Sequence, residues 1–327
     1  MFETRFRILH ETRTYAFAFT RPTLPHRSQN AYIQTISGCL TCVRSDSSEA
    51  ALTELVLEAM LPLLLDVRSQ QAYEASHAID AYNIPFEELR DRSFEMPSHK
   101  TPLLVECDAA DVQRIDEWFR TRDERCRWNV VAVRAAASEV TGPSVPGQFL
   151  FSGSPLLAAM APHVRACAAM PGSRALDVGS GSGRDAALLC CRFGFDLVCA
   201  LDRDARGLHR WTRLLDRHQV PPESRVAVVA TLVGAGDLTA VAGPRGPWQL
   251  VHVARFLRRE VLAELASLLA PGGLLLYHTF VERDPVKNAV APGELRGAFA
   301  GLEILRDDVE DIDDGRALSF FAARRPA

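Results

Sequence analysis

Short apolar runs alternate with amphipathic stretches throughout residues 151–327. Apolar runs bounded by turn residues predict buried strands, whereas apolar residues at every third or fourth position predict helices. The predicted strands are Ala175–Val178, Phe195–Leu201, Arg225–Val233, Gln249–Ala254 and Leu274–Phe280. The predicted helices run from Ser154 to about Ala169, from Ala205 to His218 and from Glu260 to Leu269. This alternation predicts an α/β fold whose strands form a parallel sheet.

The end of the chain departs from this alternation. Two further strand patterns, Leu302–Val309 and Arg316–Ala323, follow one another without a helical segment between them. Asp313-Asp314-Gly315 joins them, and an Asp-Gly pair between two strands favours a tight hairpin. The last two strands are therefore predicted to be antiparallel.

The first half of the chain carries a second α/β pattern over residues 48–134. A helical pattern over Glu49–Met60 precedes a strand at Leu61–Val67. A strand at Pro102–Glu106, a helix through Trp118-Phe119 and a closing strand at Arg127–Arg134 follow. Residues 135–150 are rich in alanine, then in proline and glycine, which is typical of a linker. We therefore predict two α/β domains, 48–134 and 151–327.

Residues 1–47 differ from both predicted domains because arginine far outnumbers acidic residues and lysine is absent. That balance is similar to a mitochondrial transit peptide. A basic unstructured N-terminus, or a start codon assigned too early, explains it equally well. No apolar segment with a small-residue cleavage site is present, so secretion is not expected and the predicted location is cytoplasmic or mitochondrial.

Composition excludes several classes of function. The 327 residues have a net charge of -4, which gives no reason to expect a nucleic-acid partner. No apolar stretch of about 20 residues predicts a membrane span. The eight cysteines do not form a disulfide framework at this length, and Cys39-x-x-Cys42 lacks a second ligand pair, so no metal site is predicted. A small molecule is the expected partner, and the oligomeric state is left open.

The candidate ligand site is a glycine-rich turn after the first strand of the second domain. Asp177 precedes Gly179-Ser180-Gly181-Ser182-Gly183, and an Ala/Leu-rich helical pattern follows. Glycine lets the backbone approach a ligand closely. The dinucleotide fingerprint G-x-G-x-x-G would need its third glycine at Arg184 or, in a looser form, at Ala186. Asp202 ends the next strand, where an acid can accept both ribose hydroxyls of a bound nucleoside.

The D-x-G-x-G-x-G pattern resembles the first motif of class I S-adenosylmethionine-dependent methyltransferases. Pro271-Gly272-Gly273 before an apolar strand and the terminal hairpin are also typical of that family. The resemblance implies a Rossmann-like domain that binds S-adenosylmethionine. The residues that it implies for the cofactor are Asp177, Gly179, Ser180, Gly181, Gly183, Asp202, Arg203 and, near the adenine, Asp237. Gly-Ser-Gly-Arg-Asp-Ala and Tyr277-His278-Thr279-Phe280 are similar to the tellurite-resistance branch.

The candidate residues for the acceptor side lie near the ends of two later strands. Arg255 follows the fourth strand and could hold an anionic acceptor through two parallel hydrogen bonds. His278 could be a general base near neutral pH, although a histidine within a strand is more often packed. Arg184 could also bind an anion, but a salt bridge with Asp185 or another carboxylate is the favoured interpretation. His252 lies within a strand and is predicted to be a core residue.

Residues 48–134 resemble the rhodanese-like domain. The similarity rests on Leu65-Asp66-Val67-Arg68, on the segment from Ser76 to Pro85 and on Cys107 at the end of a strand. It implies that Cys107 stands where the family carries sulfur. The loop Cys107-Asp108-Ala109-Ala110-Asp111-Val112 departs from the family because two aspartates disfavour a thiolate. We therefore expect a degenerate domain with a regulatory or binding role.

The sequence predicts methyl transfer to a small acceptor that is anionic or bears a thiol. One alternative is a sulfurtransferase that uses Cys107 as its nucleophile. A second alternative is a protein that binds the cofactor without turnover. In each case the fold is two α/β domains, and only the chemistry differs.

Overall fold

The computed structural model describes residues 3–10, 13–20, 62–122, 127–143, 145–281, 289–311 and 316–327. The chain divides into two compact units, 1–61 and 62–327. In the first unit, strands β1 (Glu3–His10) and β2 (Arg13–Thr20) pair antiparallel, with Glu3 opposite Thr20. The helix predicted over Glu49–Met60 lies outside the described residues. A targeting role for the N-terminus stays a prediction.

Residues 62–143 contain a four-stranded parallel sheet in the order β4-β3-β5-β6. Its strands are β3 (Leu63–Asp66), β4 (Tyr82–Asn83), β5 (Leu103–Cys107) and β6 (Val130–Ala135). Two helices accompany them, α1 (Gln70–Ala75) and α2 (Val112–Arg120). All five residues of β5 are buried, as expected for a central parallel strand covered on both faces. We call residues 62–143 the N-terminal sheet region.

Residues 145–327, the C-terminal sheet region, contain a seven-stranded sheet in the order β12-β13-β11-β10-β7-β8-β9. The strands are β7 (Arg174–Val178), β8 (Leu197–Asp202), β9 (Arg225–Val229), β10 (Trp248–Ala254), β11 (Leu269–Phe280), β12 (Glu303–Asp311) and β13 (Ala317–Arg324). Five strands are parallel, and β13 runs antiparallel between β11 and β12. The predicted parallel sheet with a terminal antiparallel hairpin is confirmed.

Helices cover both faces of this sheet. They are α3 (Pro155–Ala159), α4 (Ala161–Ala168), α5 (Arg184–Leu188), α6 (Ala205–Arg217), α7 (Asp237–Ala242), α8 (Leu262–Leu268) and α9 (Glu294–Ala298). One core lies on the face that contains Trp211 and Leu276, and the other lies on the face that contains Trp248 and Leu275. None of the helices in the described residues has the length and apolarity that crossing a bilayer requires.

Several predicted elements differ in extent from the structure; strand β9, for example, ends at Val229 and not at the predicted Val233. The helix expected from Ser154 to Ala169 is divided at Met160, because Pro162 has no backbone N–H and suits the first turn of a new helix. Strand β11 begins at Leu269, before the predicted Pro271-Gly272-Gly273 turn. Gly272 and Gly273 exchange backbone hydrogen bonds with Arg325 at 3.0 and 2.9 Å, so the turn residues pair as part of the sheet.

A buried carboxylate joins the two sheet regions. Glu95 is fully buried and accepts hydrogen bonds of 2.8 and 2.7 Å from the guanidinium of Arg92. It also accepts a 2.8 Å bond from the hydroxyl of Tyr82 in β4, and it pairs with Arg217 at the end of α6. A buried charge is tolerated only when it is paired and hydrogen-bonded, and Glu95 satisfies both conditions with partners from both regions.

We expect Glu95→Ala to destabilise the protein by about 3–5 kcal/mol, because Arg92 and Arg217 would keep their charges without their common partner. Equilibrium unfolding in urea measures the change. Glu88→Ala is the matched control, since Glu88 also pairs with Arg92 but has a half-exposed side chain. It should cost less than about 1 kcal/mol. Equal losses for the two variants would mean that the junction does not depend on Glu95.

Candidate functional site

A cleft of about 390 Å³ lies at the carboxyl ends of the parallel strands of the seven-stranded sheet. Its walls are Gly179 after β7, residues 201–203 at the end of β8, residues 230–232 after β9, residues 255–258 after β10, and Phe280. The volume is within the usual range for a small-molecule pocket. In open α/β sheets this edge is where ligands bind.

The glycine turn is shaped by two close contacts. Gly179, Gly181 and Gly183 all have positive φ angles, which glycine adopts without strain. A Cβ at Gly183 would lie 2.4 Å from the ring of Trp211, and one at Gly179 would lie 2.6 Å from Phe256. A Cβ at Gly181 would meet nothing within 4 Å. Side chains at the outer glycines would therefore clash, while the middle of the turn faces open space.

The backbone N–H groups of the turn are used within the protein. Gly179 and Ser180 both donate to the carbonyl of Leu201, at 2.8 and 3.0 Å, and Gly183 donates to Ser180. Gly181 donates to Oδ2 of Asp202 at 2.7 Å. These four N–H groups therefore have partners within the protein, and a close approach of a ligand to the turn stays a prediction. The hydroxyl of Ser180, by contrast, is buried without a hydrogen-bond partner among the described residues.

Asp202 lies at the wall of the cleft. Oδ1 accepts the N–H of Asp204 at 2.8 Å, while Oδ2 accepts the N–H of Gly181. Each carboxylate oxygen can accept about two hydrogen bonds, so both keep capacity for hydroxyls of a ligand. Arg203 is an exposed neighbour that also lines the cleft. The structure brings these two predicted residues together at the end of β8.

Asp237 is not among the residues that line the cleft. Its Oδ2 accepts the backbone N–H groups of Val233 and Gly234, both at 2.8 Å, and these bonds lower the pKa of Asp237. Thr231 and Leu232 line the cleft instead. Sequence reasoning missed them because neither residue type signals ligand binding by itself. A cofactor contact by Asp237 stays an untested prediction.

Asp177 lies beneath the glycine turn rather than in the cleft wall. It is buried, and its Oδ1 is 2.8 Å from Nδ1 of His252 on the adjacent strand β10. The other ring nitrogen of His252 is 3.1 Å from the hydroxyl of Ser154 and 3.8 Å from Asp185. Although burial disfavours the imidazolium, Asp177 and Asp185 raise the pKa of His252. His252 is buried as predicted, but it also organises a polar layer that the sequence did not indicate.

Arg255 has a strained backbone at the edge of the cleft. Its φ is +55°, a left-handed conformation that is uncommon for a residue other than glycine. Its N–H donates to the carbonyl of His278 at 2.6 Å, which fixes this conformation. The side chain is exposed, and none of the residues in the described ranges pairs with its guanidinium. Such strain is found mainly at functional sites.

His278 lies below the cleft. It is fully buried with its ring edge-on to Phe320, and neither ring nitrogen has a partner among the described residues. Burial and the charges of His252 and Arg255 lower the pKa of His278 to about 4, so the ring is neutral at neutral pH. The structure does not bring His278 into the cleft wall, and its role as a base stays a prediction.

The predicted salt bridge between Arg184 and Asp185 is not formed. Asp185 instead accepts the backbone N–H of Ser154 at 2.7 Å. Arg184 donates to the carbonyls of Phe94 at 2.6 Å and Met96 at 3.2 Å, in the N-terminal sheet region. The predicted salt bridge was wrong because the side chains of adjacent residues at the start of a helix point in different directions. Each of the two side chains contacts residues that are distant in the sequence.

Cys107 ends β5 in the four-stranded sheet and is not among the residues that line the cleft. The residue is buried, and its Sγ–H donates to the carbonyl of Arg134 at 3.6 Å. The following residues Ala109–Asp111 form a short 3₁₀ helix. Burial, then the charges of Asp111 and Asp108, raise the pKa of Cys107 to about 11.

No group of three or more metal-ligating side chains is found in the described part of the chain.

We expect Cys107 to resist iodoacetamide at pH 8, where a thiol of this pKa has on the order of one part in a thousand thiolate. Peptide mapping by mass spectrometry, which separates Cys107 from the other cysteines, measures its alkylation rate. Replacing the two aspartates, in Asp108→Gly with Asp111→Arg, should accelerate alkylation because the repelling charges are removed. Rapid alkylation of the unaltered protein would contradict the buried, protonated thiol.

The chain has sequence relatives among curated proteins. No protein-family model matches it. An uncharacterised protein of Schizosaccharomyces pombe is 26% identical over 315 residues, covering 80% of this chain and 93% of that protein. The ribosomal protein L11 methyltransferase of Chloroflexus aurantiacus is 32% identical over 161 residues, covering 43% of this chain and 46% of that enzyme.

Solved structures are similar over about half of the chain. TehB from Haemophilus influenzae covers 50% of this chain and 62% of its own, with a TM-score of 0.39 and 15% identity. The magnesium protoporphyrin IX methyltransferase of Synechocystis, solved with S-adenosylmethionine bound, covers 52% and 77%, with a TM-score of 0.39 and 16% identity.

Proposed function

We propose that the protein is a class I S-adenosylmethionine-dependent methyltransferase acting on a small molecule. The observation that carries this proposal is the glycine turn. Dinucleotide sites hold a pyrophosphate on backbone N–H groups at this position. Here the N–H groups of Gly179, Ser180, Gly181 and Gly183 are bonded within the protein. S-adenosylmethionine has no phosphate and needs only the close approach that the glycines allow.

The residues of the cleft suit the rest of this cofactor. Asp202 has lone pairs for two ribose hydroxyls, and Leu232 and Thr231 offer an apolar surface with one hydroxyl for the adenine. The terminal antiparallel hairpin and the partial match to a bacterial ribosomal protein L11 methyltransferase support the same class. A dinucleotide fold would continue with parallel strands.

The sulfonium of the cofactor supplies an activated methyl group, so the protein must mainly bind and orient the two reactants. Asp202 and the glycine turn fix the nucleoside end, and Asp177 and His252 hold the turn from below. Residues 255–258 form the opposite wall, where an acceptor can approach. Holding nucleophile, methyl carbon and sulfur in line is the largest rate contribution available to such a site.

Arg255 is our candidate for binding the acceptor. A guanidinium in the cleft can hold a carboxylate or oxyanion through two parallel hydrogen bonds. An anionic acceptor, or a thiol that reacts as its anion, suits this charge. The tellurite-resistance branch is the subfamily that the sequence motifs favour, and TehB is among the similar folds.

In this proposal, residues 48–134, which include most of the N-terminal sheet region, are a rhodanese-like domain that has lost sulfur transfer. The linker 135–150 and the methyltransferase domain 151–327 follow it. The buried, protonated thiol of Cys107 argues against a sulfurtransferase. A regulatory or binding role therefore remains for this domain.

Asp202→Ala should weaken binding of S-adenosylhomocysteine by about 1–3 kcal/mol, because charge-assisted hydrogen bonds to the ribose are lost. Isothermal titration calorimetry measures this, with NAD⁺ as a comparison ligand that should bind much more weakly. Asp196→Ala is the matched control, because Asp196 also accepts a backbone N–H but precedes the opposite end of β8. Tight NAD⁺ binding without a response to S-adenosylhomocysteine would overturn the proposed function.

Arg255→Ala should lower kcat/KM for the acceptor by about 10-fold or more, the equivalent of one lost charged contact. The acceptor is first identified by screening labelled S-adenosylmethionine against thiols, oxyanions and small carboxylates. Arg255→Lys should recover little, because a point charge cannot reproduce the guanidinium fork. Arg259→Ala is the control, since Arg259 pairs with Glu294 and is not among the cleft-lining residues. Loss of cofactor binding in Arg255→Ala would contradict an acceptor role.

A further inference from the structure

The cleft at the seven-stranded sheet has two unlike halves. The half formed after β8 and β9 consists of residues 201–203 and 230–232. The half formed after β10 and β11 consists of residues 255–258 and Phe280. The proposed nucleoside site uses Asp202 and the first half, so the second half is left for the methyl acceptor. What this acceptor half can bind rests on the proposed function and narrows it.

The acceptor half carries two positive charges. Arg255 and Arg258 both line it, and both are exposed. Among the described residues, no carboxylate pairs with either guanidinium. The next residue, Arg259, differs because its guanidinium bonds to both carboxylate oxygens of Glu294, at 2.6 and 3.0 Å. The two guanidiniums of the acceptor half are therefore available to an anionic group of a ligand.

Three apolar side chains lie beside these cations. Phe256, Leu257 and Phe280 line the cleft, and each is half-buried. Phe280 is the last residue of β11, and the guanidinium of Arg316 lies 4.6 Å from the centroid of its ring. An inorganic oxyanion has no apolar surface to place against these side chains, whereas a ligand with an apolar ring gains from burying it there.

The wall that carries these side chains is held by its backbone. The N–H of Arg255 donates to the carbonyl of His278 at 2.6 Å, and the hydroxyl of the buried Tyr277 donates to the carbonyl of Phe256 at 2.8 Å. Phe256 also packs against Gly179, where a Cβ would lie 2.6 Å from it. Because the backbone is fixed beforehand, little of it must be ordered when a ligand binds.

We infer that the acceptor is a small aromatic carboxylate, held by its carboxylate on Arg255 and Arg258 and by its ring against Phe256 and Phe280. A guanidinium binds a carboxylate through parallel hydrogen bonds and also stacks on aromatic faces, so both cations suit such a molecule. Aromatic pairs add to the gain from buried area alone. The cleft of about 390 Å³ must also hold the cofactor, which keeps the acceptor small.

The test compares four ligands that separate the ring from the charge. Benzoate carries both, benzamide carries only the ring, acetate carries only the charge, and phosphate is an inorganic oxyanion. Their dissociation constants are measured on the full-length protein saturated with S-adenosylhomocysteine, by competition against 4-fluorobenzoate in fluorine NMR. We expect benzoate to bind at least about 10-fold more tightly than each of the others, because it alone uses both kinds of side chain.

Two variants assign the two parts of the ligand. Arg258→Gln should weaken benzoate about 5- to 10-fold and leave benzamide unchanged, because only a charged contact is lost. Phe280→Leu keeps an apolar side chain but removes the ring, so it should weaken benzoate and benzamide alike, about 3- to 10-fold, and leave acetate unchanged. Thermal unfolding reports whether each variant retains the fold.

Arg259→Gln and Phe193→Leu are the matched controls. Arg259 is paired with Glu294 and is not among the residues that line the cleft. Phe193, like Phe280, is partly buried against the core that contains Trp211 and lies near a guanidinium, that of Arg165 at 5.8 Å. It is likewise absent from the cleft lining. Neither replacement should change the binding of any of the four ligands.

Acetate or phosphate binding as tightly as benzoate would overturn this inference in favour of a small anion. Benzamide binding as tightly as benzoate would show that the two arginines do not select the acceptor, and a lack of benzoate binding would overturn the inference as well. In each of these cases, binding of S-adenosylhomocysteine to the same protein still supports the proposed function. Its failure to bind would instead contradict the proposed function itself.

Discussion

The hydrogen bond from Gly181 to Asp202 is the contact on which the cleft depends. Together with the bonds from Gly179 and Ser180 to the carbonyl of Leu201, it joins the turn after β7 to the end of β8. Gly207 in α6 allows the same turn to pack closely, because a Cβ there would lie 2.3 Å from the carbonyl oxygen of Gly181. Four of its five N–H groups, those of Gly179, Ser180, Gly181 and Gly183, are bonded within the protein, which restricts the shape of the turn. The carboxylate of Asp202, which keeps free lone pairs, lies beside this surface.

A buried polar layer supports this surface from below. Asp177 and His252 face each other on adjacent strands because their backbones are paired in register, Asp177 opposite His252. Ser154 and Asp185 close the layer from the two flanking helical segments. Polar groups in a low-dielectric interior are stabilising only when every member has a partner, and these four satisfy one another. The layer therefore fixes how β7, β10, α3 and α5 meet beneath the cleft.

Local features of the site were predictable from sequence, and long-range contacts were not. The glycine turn, the acid at the end of β8 and the antiparallel pairing of the last two strands are each set by a few adjacent residues, and all three occur as predicted. The Asp313-Asp314-Gly315 turn itself lies outside the described residues. Arg184 and Ser154 were misjudged or missed because their partners are Phe94 and His252, about 90 and 98 residues away. For Asp237 the sequence was ambiguous. An aspartate after a glycine is compatible with a ligand contact and also with the hydrogen bonds that its carboxylate accepts from the backbone of the preceding loop. Burial of Cys107, in contrast, followed from its position at the end of a central strand.

The two parallel sheets offer different electrostatic environments at their carboxyl ends. At the four-stranded sheet, Asp66 and Glu106 are fully buried and each is paired with an arginine, Arg68 and Arg134. Burial comes first at Cys107, and the charges of Asp111 and Asp108 add to it and outweigh that of Arg114, so the pKa of the thiol is raised and it stays protonated. At the seven-stranded sheet the carboxylates Asp177 and Asp185 are engaged by His252 and Ser154, while the guanidinium of Arg255 at the cleft has no carboxylate partner among the described residues. Of the two edges, the second therefore presents an unpaired cation at its cleft, whereas the first buries its carboxylates in ion pairs.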